Sequence, residues 1–382
     1  MAKSTLEQRL EACFLTLNGF VTGTLEYTDT IIHIHGDAPQ ADVPADADRI
    51  VLPGFIDVHV HGGGGGDTMD GAEGVRKLAQ FHAKHGTTTL YPTTMTNPWE
   101  AILSALEGVC TVHAEADPNL PDIAGVHLEG PFISPDRLGA QPPFTLIPTV
   151  ERLEQLLAYD IIRLVTLAPE IENAQLAARQ FAEADVRVSF GHTICTVEDA
   201  KTCAELIRDA GGILSFTHLY NAMSPLQSRA PGTVGAALAD EHAFAELIFD
   251  THHVHPTSML AAFRAKPEHL LFITDSIRAS GMDGGQSELG GQTVTVNDGR
   301  ATLADGTLAG SVLTLDQALQ NGLEASLSLR QASQLLSTTP ARYMGLTDRG
   351  DLSLGKRADM VVLNGEFEVL EVIVAGRSIY TA

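Results

Sequence analysis

Thiols are scarce in this chain, and the few present are scattered. Cys13, Cys110, Cys195 and Cys203 form no CxxC pair and lack the density of a disulfide framework. That excludes a disulfide-stapled fold and fits a reduced, cytoplasmic interior in which cysteines serve as small core residues. Long apolar runs are missing too. None approaches the ~20 residues that span a bilayer, so no membrane partner is expected. Met1–Leu10 is charged and polar, without the hydrophobic stretch of a signal peptide. Basic residues are few: 24 Lys and Arg against 48 Asp and Glu leave a net charge of −24. Such a surface argues against nucleic acid and anionic membranes and favours solubility. A small anion remains admissible, because one arginine and a few backbone N–H groups can make a local phosphate site.

What is present is a regular alternation. At 382 residues the chain can bury a large core, as one big α/β domain with a small companion or as two medium domains. From residue 50 onward, eight apolar strand-like runs appear: Ile50–Val60, Thr87–Thr94, Ile123–Leu128, Ile162–Ala168, Val186–Phe190, Ile213–Thr217, Ala245–Phe249 and Leu270–Thr274. Helical patterns rich in Ala, Leu, Glu and Gln lie between most of them, for example Trp99–Ala114 and Val197–Ala210. Strand then helix, repeated eight times, predicts a (β/α)8 barrel of TIM type. Residues 13–50 and 351–382 read as short strands with turns, which predicts a small β-sandwich domain built from both termini. The expected division is 1–50 and 345–382 for that domain and 51–344 for the barrel. The alternating Thr293-Val294-Thr295-Val296 followed by Asn297-Asp298-Gly299 predicts a hairpin.

The runs end in a common chemistry. The first leads to His59 and His61, the third to Glu129, the fifth to His192, the sixth to His218 and the eighth to Asp275. Side chains at i and i+2 share one face of a strand, so His59 and His61 aim two imidazoles at one point. Barrel active sites lie at the C-terminal strand ends, and five strand ends here deliver metal-type ligands to one rim. His33 and His35 repeat the His-x-His-Gly pattern without such company, and read as the solvated face of the small β-domain. Nitrogen and oxygen donors without thiolates suit Zn2+, Fe2+, Mn2+ or Co2+ better than Mg2+ or Ca2+. Six donors allow two ions, with Glu129 as bridge. One ion on Glu129, His192 and His218 would leave a position for water, whose pKa a metal lowers to ~7. Asp275 is the carboxylate placed to take that proton, to bind metal, or to do both.

At these residues the chain resembles the amidohydrolase superfamily, and within it the N-acetylglucosamine-6-phosphate deacetylases. The resemblance runs from about residue 15 to the end. It rests on Pro53-Gly54-Phe55-Ile56-Asp57-Val58-His59-Val60-His61-Gly62, His127-Leu128-Glu129-Gly130-Pro131-Phe132, Gly191-His192-Thr193, Thr217-His218-Leu219-Tyr220-Asn221-Ala222-Met223, Thr274-Asp275-Ser276, Leu308-Ala309-Gly310-Ser311 and Gly355-Lys356-Arg357-Ala358-Asp359. It implies hydrolysis of the acetamide of an N-acetyl amino-sugar 6-phosphate by a cytoplasmic homodimer. It implies metal ligation by Glu129, His192 and His218, a second metal position at His59 and His61, and Asp275 as general base and then acid. Asn221 and Ala222 would meet the sugar phosphate through backbone N–H groups, Arg229 would pair with it, and His253 would contact substrate. Leu308, Ala309 and Gly310 would close over the sugar, with Ala140 in the loop after the third strand. Part of the family has histidine where this chain has Gln141, a residue that hydrogen-bonds but carries no charge, so gluco against galacto preference stays open. A galactosamine-type deacetylase is the near alternative, and a metal-free scaffold barrel the remote one. Asp57 is expected to orient a metal histidine from behind. Arg137 and Arg278, close to the motifs, are read first as surface ion-pair residues and second as helpers at the phosphate, and His82, His85, His113, His242 and His269 as structural or solvated.

Overall fold

Eight parallel strands carry the site: β1 (Phe55–Val60), β2 (Thr87–Pro92), β3 (Val126–Glu129), β4 (Ile162–Leu167), β5 (Arg187–Phe190), β6 (Leu214–Phe216), β7 (Phe244–Ile248) and β8 (Leu270–Ile273). They are seen in a computed structural model that describes residues 7–382; residues 1–6, part of the N-terminal stretch read above for a leader, lie outside the described residues. β3 to β8 pair in chain order as one curled parallel sheet. β1 and β2 pair in parallel in a second sheet, with Asp122–Ile123 as its third strand. Single parallel bridges join Thr93 to His127 and Val60 to Ser276, so the two sheets touch at both margins. Apart from Arg163 in β4, every residue of the eight strands is buried, as near-continuous apolar runs demand of a parallel sheet covered on both faces.

The helices between the strands follow from sequence period. Val197–Asp209 starts at Thr196, whose side chain accepts from Asp199 N–H while the Asp199 carboxylate accepts in return, a capping box. It buries Ala200, Cys203, Ala204 and Ile207, one stripe at i, i+3, i+4, i+7 spacing. Helix Gly232–Ala239 was not expected. Its composition of Gly, Thr, Val, Ala and Leu has no polar face, and it lies with Gly232 to Gly235 and Ala237 buried. All four cysteines are free thiols, and Cys13, Cys195 and Cys203 are buried.

The first expected run divides. Ile50–Pro53 leaves the parallel strands and joins a seven-stranded sheet ordered Arg377–Thr381, Val369–Val374, Met360–Leu363, Ile50–Pro53, Gln8–Thr16, Gly19–Tyr27, Ile31–Gly36. The break falls at Gly54, where an added Cβ would stand 2.3 Å from Thr88 Oγ1. The Gly54 N–H donates to Asp359 O of the terminal sheet, and the next N–H, of Phe55, donates to Gly86 O beside β2. This sheet draws strands from both ends of the chain and has its own core, including Phe14, Leu25, Val51 and Met360. His33 and His35 lie on it, exposed. The expected hairpin has a third strand: Gly285–Leu289, Gln292–Asn297 and Arg300–Thr302 form an antiparallel sheet. Gln292 Nε2 donates to Ala140 O at 2.8 Å, which ties this sheet to the loop after β3.

Candidate metal centre

Every strand-end donor lies at one rim. His59 belongs to β1 and His61 follows it, Glu129 ends β3, and His192, His218 and Asp275 stand two residues beyond β5, β6 and β8. All six are buried. The last three have φ of +49°, +34° and +49°. This left-handed backbone turns the chain sharply as each strand ends, a conformation costly for non-glycine residues and concentrated at functional sites.

Two trios share Glu129: His59, His61 and Glu129 in one, Glu129, His192 and His218 in the other. Glu129 Oε2 lies 3.1 Å from His61 Nε2. Its Oε1 lies 3.2 Å from His192 Nε2 and 3.3 Å from His218 Nε2. His59 and His61 Nε2 are 3.3 Å apart, and those of His192 and His218 3.0 Å. Asp275 Oδ1 faces His61 Nε2 at 3.2 Å and His59 Nε2 at 3.4 Å. Donors bound at about 2.0–2.2 Å to one tetrahedral ion sit roughly 3.3–3.6 Å from each other, so the spacing is that of a ligand set.

The outer nitrogens support the same fit. His61 Nδ1 faces Thr93 O at 3.2 Å, and His192 Nδ1 faces Arg137 O at 2.9 Å. His59 Nδ1 faces Glu246 Oε2 at 3.0 Å. A carbonyl or carboxylate acceptor at Nδ1 places the proton there and leaves the lone pair on Nε2. Lone pairs then converge on one another and on carboxylates, which only protons or a cation can reconcile. Burial opposes charge on His61, but its bonds to Asp275 and Glu129 push it up to about 9. Burial likewise opposes charge on Asp275 and Glu129, yet the neighbouring imidazoles, His59 foremost, hold both carboxyls well below the usual range. The residues present fit a divalent transition metal.

Asp57 does not meet an imidazole. Its Oδ1 accepts from His59 N–H and Thr274 N–H, and its Oδ2 accepts from Thr274 Oγ1 at 2.6 Å. Burial pushes its carboxyl up to about 7 against these bonds. The carboxylate behind His59 is Glu246, in the middle of β7. One signal pointed to it, a lone acid inside the apolar run Phe244-Ala245-Glu246-Leu247-Ile248.

Above the cluster opens a cavity of about 350 Å³. Ala140, Gln141, Asn221, Ala222, His253, Leu308 and Gly310 line it, and Arg137, read above as a surface residue, lines it too. Arg137 makes no ion pair among the described residues, whereas Arg278 pairs with Asp67, Asp70 and Glu288. Ala309 is buried behind the wall. Arg229 is exposed and lines a separate cavity with Ile194 and Ser224. The Asn221 N–H donates to His218 O, so of the two amides expected for phosphate only that of Ala222 has no partner among the described residues. Gln141 accepts from Thr96 N–H at 2.8 Å and donates to Glu129 Oε2 at 2.5 Å. His253 Nδ1 lies 2.7 Å from Asp250 Oδ2, which turns Nε2 away from that carboxylate. His82 is buried, with Nε2 on Gly62 O, and His85 pairs with Asp316.

An α/β fold that gathers imidazoles and carboxylates at the strand ends around a ligand-sized cavity is the frame of a metal-dependent hydrolase. The chain belongs to the amidohydrolase family, whose model matches residues 50–379. It is 39% identical over 346 residues to N-acetylglucosamine-6-phosphate deacetylase of Bacillus subtilis (strain 168), covering 88% of this chain and 86% of that protein. It is 36% identical over 360 residues to N-acetylgalactosamine-6-phosphate deacetylase of Escherichia coli O157:H7, covering 92% and 93%. Among solved structures it is similar to the N-acetyl-D-glucosamine-6-phosphate deacetylase of Mycobacterium smegmatis in complex with N-acetyl-D-glucosamine-6-phosphate. That match has a TM-score of 0.88 and 32% identity, over 99% of this chain and 100% of the other.

Proposed function

We propose that this chain hydrolyses the acetamide of N-acetyl-D-glucosamine 6-phosphate to D-glucosamine 6-phosphate and acetate. The observation that carries the reading is the convergence of six buried donors beneath a cavity of about 350 Å³, in a chain whose relatives bear that activity in their names. A cavity of this size suits a hexosamine phosphate, since small-molecule sites run ~300–1,000 Å³. The two margin bridges support closure of the eight parallel strands, from Phe55 onward, into one (β/α)8 barrel. The companion expected as a β-sandwich is a single seven-stranded sheet that takes Ile50–Pro53 from the start of the expected 51–344 span.

One or two ions among Zn2+, Fe2+, Mn2+ and Co2+ would sit on His59, His61, Glu129, His192, His218 and Asp275. A metal so held lowers the pKa of water and polarises the amide carbonyl. Asp275 takes a proton from the attacking water and delivers it to the departing amine nitrogen as the C–N bond breaks. Gln141 holds Glu129 and faces the sugar. Ala140, Leu308, Ala309 and Gly310 form the wall. The free Ala222 N–H and His253 meet the phosphate end, with Asn221 holding the turn that presents that amide. Arg229 would need a second chain to bring it to this cavity, which the homodimer we infer would allow. Arg137 is the cation already at the mouth. No helix among the described residues is long and apolar enough to cross a membrane.

The test is acetate release from N-acetylglucosamine 6-phosphate, from its galactosamine epimer and from the unphosphorylated sugar. We expect turnover with the first and a strong preference for phosphate. Relatives named for galactosamine at 36% and 40% identity make the epimer the second reading. No acetate from either phosphate would end both readings.

A further inference from the structure

The four imidazoles are not supported alike. His61 and His192 rest on main-chain carbonyls, and His218 Nδ1 has no partner among the described residues. His59 alone rests on a carboxylate. Glu246 Oε2 stands 3.0 Å from its Nδ1, and both side chains are wholly buried. Glu246 comes from the interior of β7, between the buried apolar Ala245 and Leu247. Its second oxygen, Oε1, is buried with no hydrogen-bond partner. An acid with half its acceptor capacity unmet in a packed strand is destabilising, and a hydrophobic side chain there would avoid the penalty.

We propose that Glu246 is a positioning residue for the metal at His59 and His61. It fixes the His59 proton on Nδ1, points the Nε2 lone pair at the ion and makes the ring a stronger donor than a carbonyl partner would. The inference rests on the reading that both trios take a cation. It makes the two positions unequal: Glu246 governs the affinity of one and leaves the other to Glu129, His192 and His218.

The experiment titrates metal-stripped protein with Mn2+ or Zn2+ against a chromophoric chelator, which counts ions and resolves their affinities. Wild-type chain should take two ions. Glu246→Ala should weaken one step by ~10–100-fold, the usual loss when an outer-shell partner is removed. That step should be the one abolished in His61→Ala, and the step abolished in His192→Ala should be unchanged. Glu246→Gln keeps the size and one acceptor, so its loss should be smaller, and it decides the matter if the alanine variant fails to fold. Equal weakening of both steps, or of neither, overturns the assignment. A wild-type chain that releases acetate but takes one ion also overturns it, while the deacetylase reading stands. Selective loss of one step without any acetate release does the reverse.

Discussion

Asp275 and Arg229 are proposed to act at opposite ends of one substrate, so their removal should register in different kinetic constants. Asp275→Asn keeps the volume and removes the base; kcat should fall by ~10²–10⁴-fold, the typical contribution of a placed acid–base group. Arg229→Ala removes a charge that binds phosphate alike in ground and transition states, so KM should rise with kcat kept. Steady-state kinetics on N-acetylglucosamine 6-phosphate separates the two, and loss of kcat at constant KM in Arg229→Ala would sink its role. The six donors were legible because each ends an apolar run, where a polar residue must face a rim. Glu246 was not picked out, since its acid lies inside a strand and nothing in the chain's order tells which side chain it meets across the curled sheet. Asn221 shows a different limit: its N–H is consumed by His218 O, a turn closure that no motif reveals.

At the scale of elements, period and composition placed the parallel strands within a few residues, because burial on both faces leaves little choice of residue. The run Ile50–Val60 misled for the same reason. It is apolar throughout, yet serves two sheets, and only Gly54 with no room for a side chain against Thr88 marks the change. Helix Gly232–Ala239 was missed because small residues packed all round carry no period. The segment after the antiparallel insert is equally tight. Ser311 N–H donates to Asp275 O at 2.8 Å. At Gly310, with φ of +59°, a Cβ would stand 2.5 Å from Ile277 Cγ2 and 3.0 Å from Asp275 O. Gly310→Ala should therefore displace Asp275, and since ~1 Å of misplacement can cost ~10²-fold, kcat should drop by roughly ten- to a hundredfold. Unchanged kcat would show that the strand end tolerates the shift.

For the molecule as a whole, acid should loosen the fold through His82, which packs helix Ala72–Ala83 onto Gly62 O at the rim. Burial pushes its imidazole down to about 4. Above pH ~6.5 the ring is neutral folded or unfolded and contributes no pH dependence. As pH falls from there, the unfolded chain binds a proton that the folded chain refuses, so stability drops until about pH 4. The gap between the two values corresponds to ~3 kcal/mol. His82→Gln should flatten that limb in denaturant midpoints taken between the two pH values; parallel wild-type and variant curves would refute it. The terminal sheet has a consequence for how the protein comes into being. Ile50–Pro53 pairs with Met360–Leu363, and the strand bearing His59 begins two residues later. During synthesis its other neighbour, Gln8–Thr16, is already made when this segment emerges, whereas Met360–Leu363 comes only near the end of the chain. The sheet that leads into the first part of the metal centre to leave the ribosome is thus completed only by the last strands of the chain.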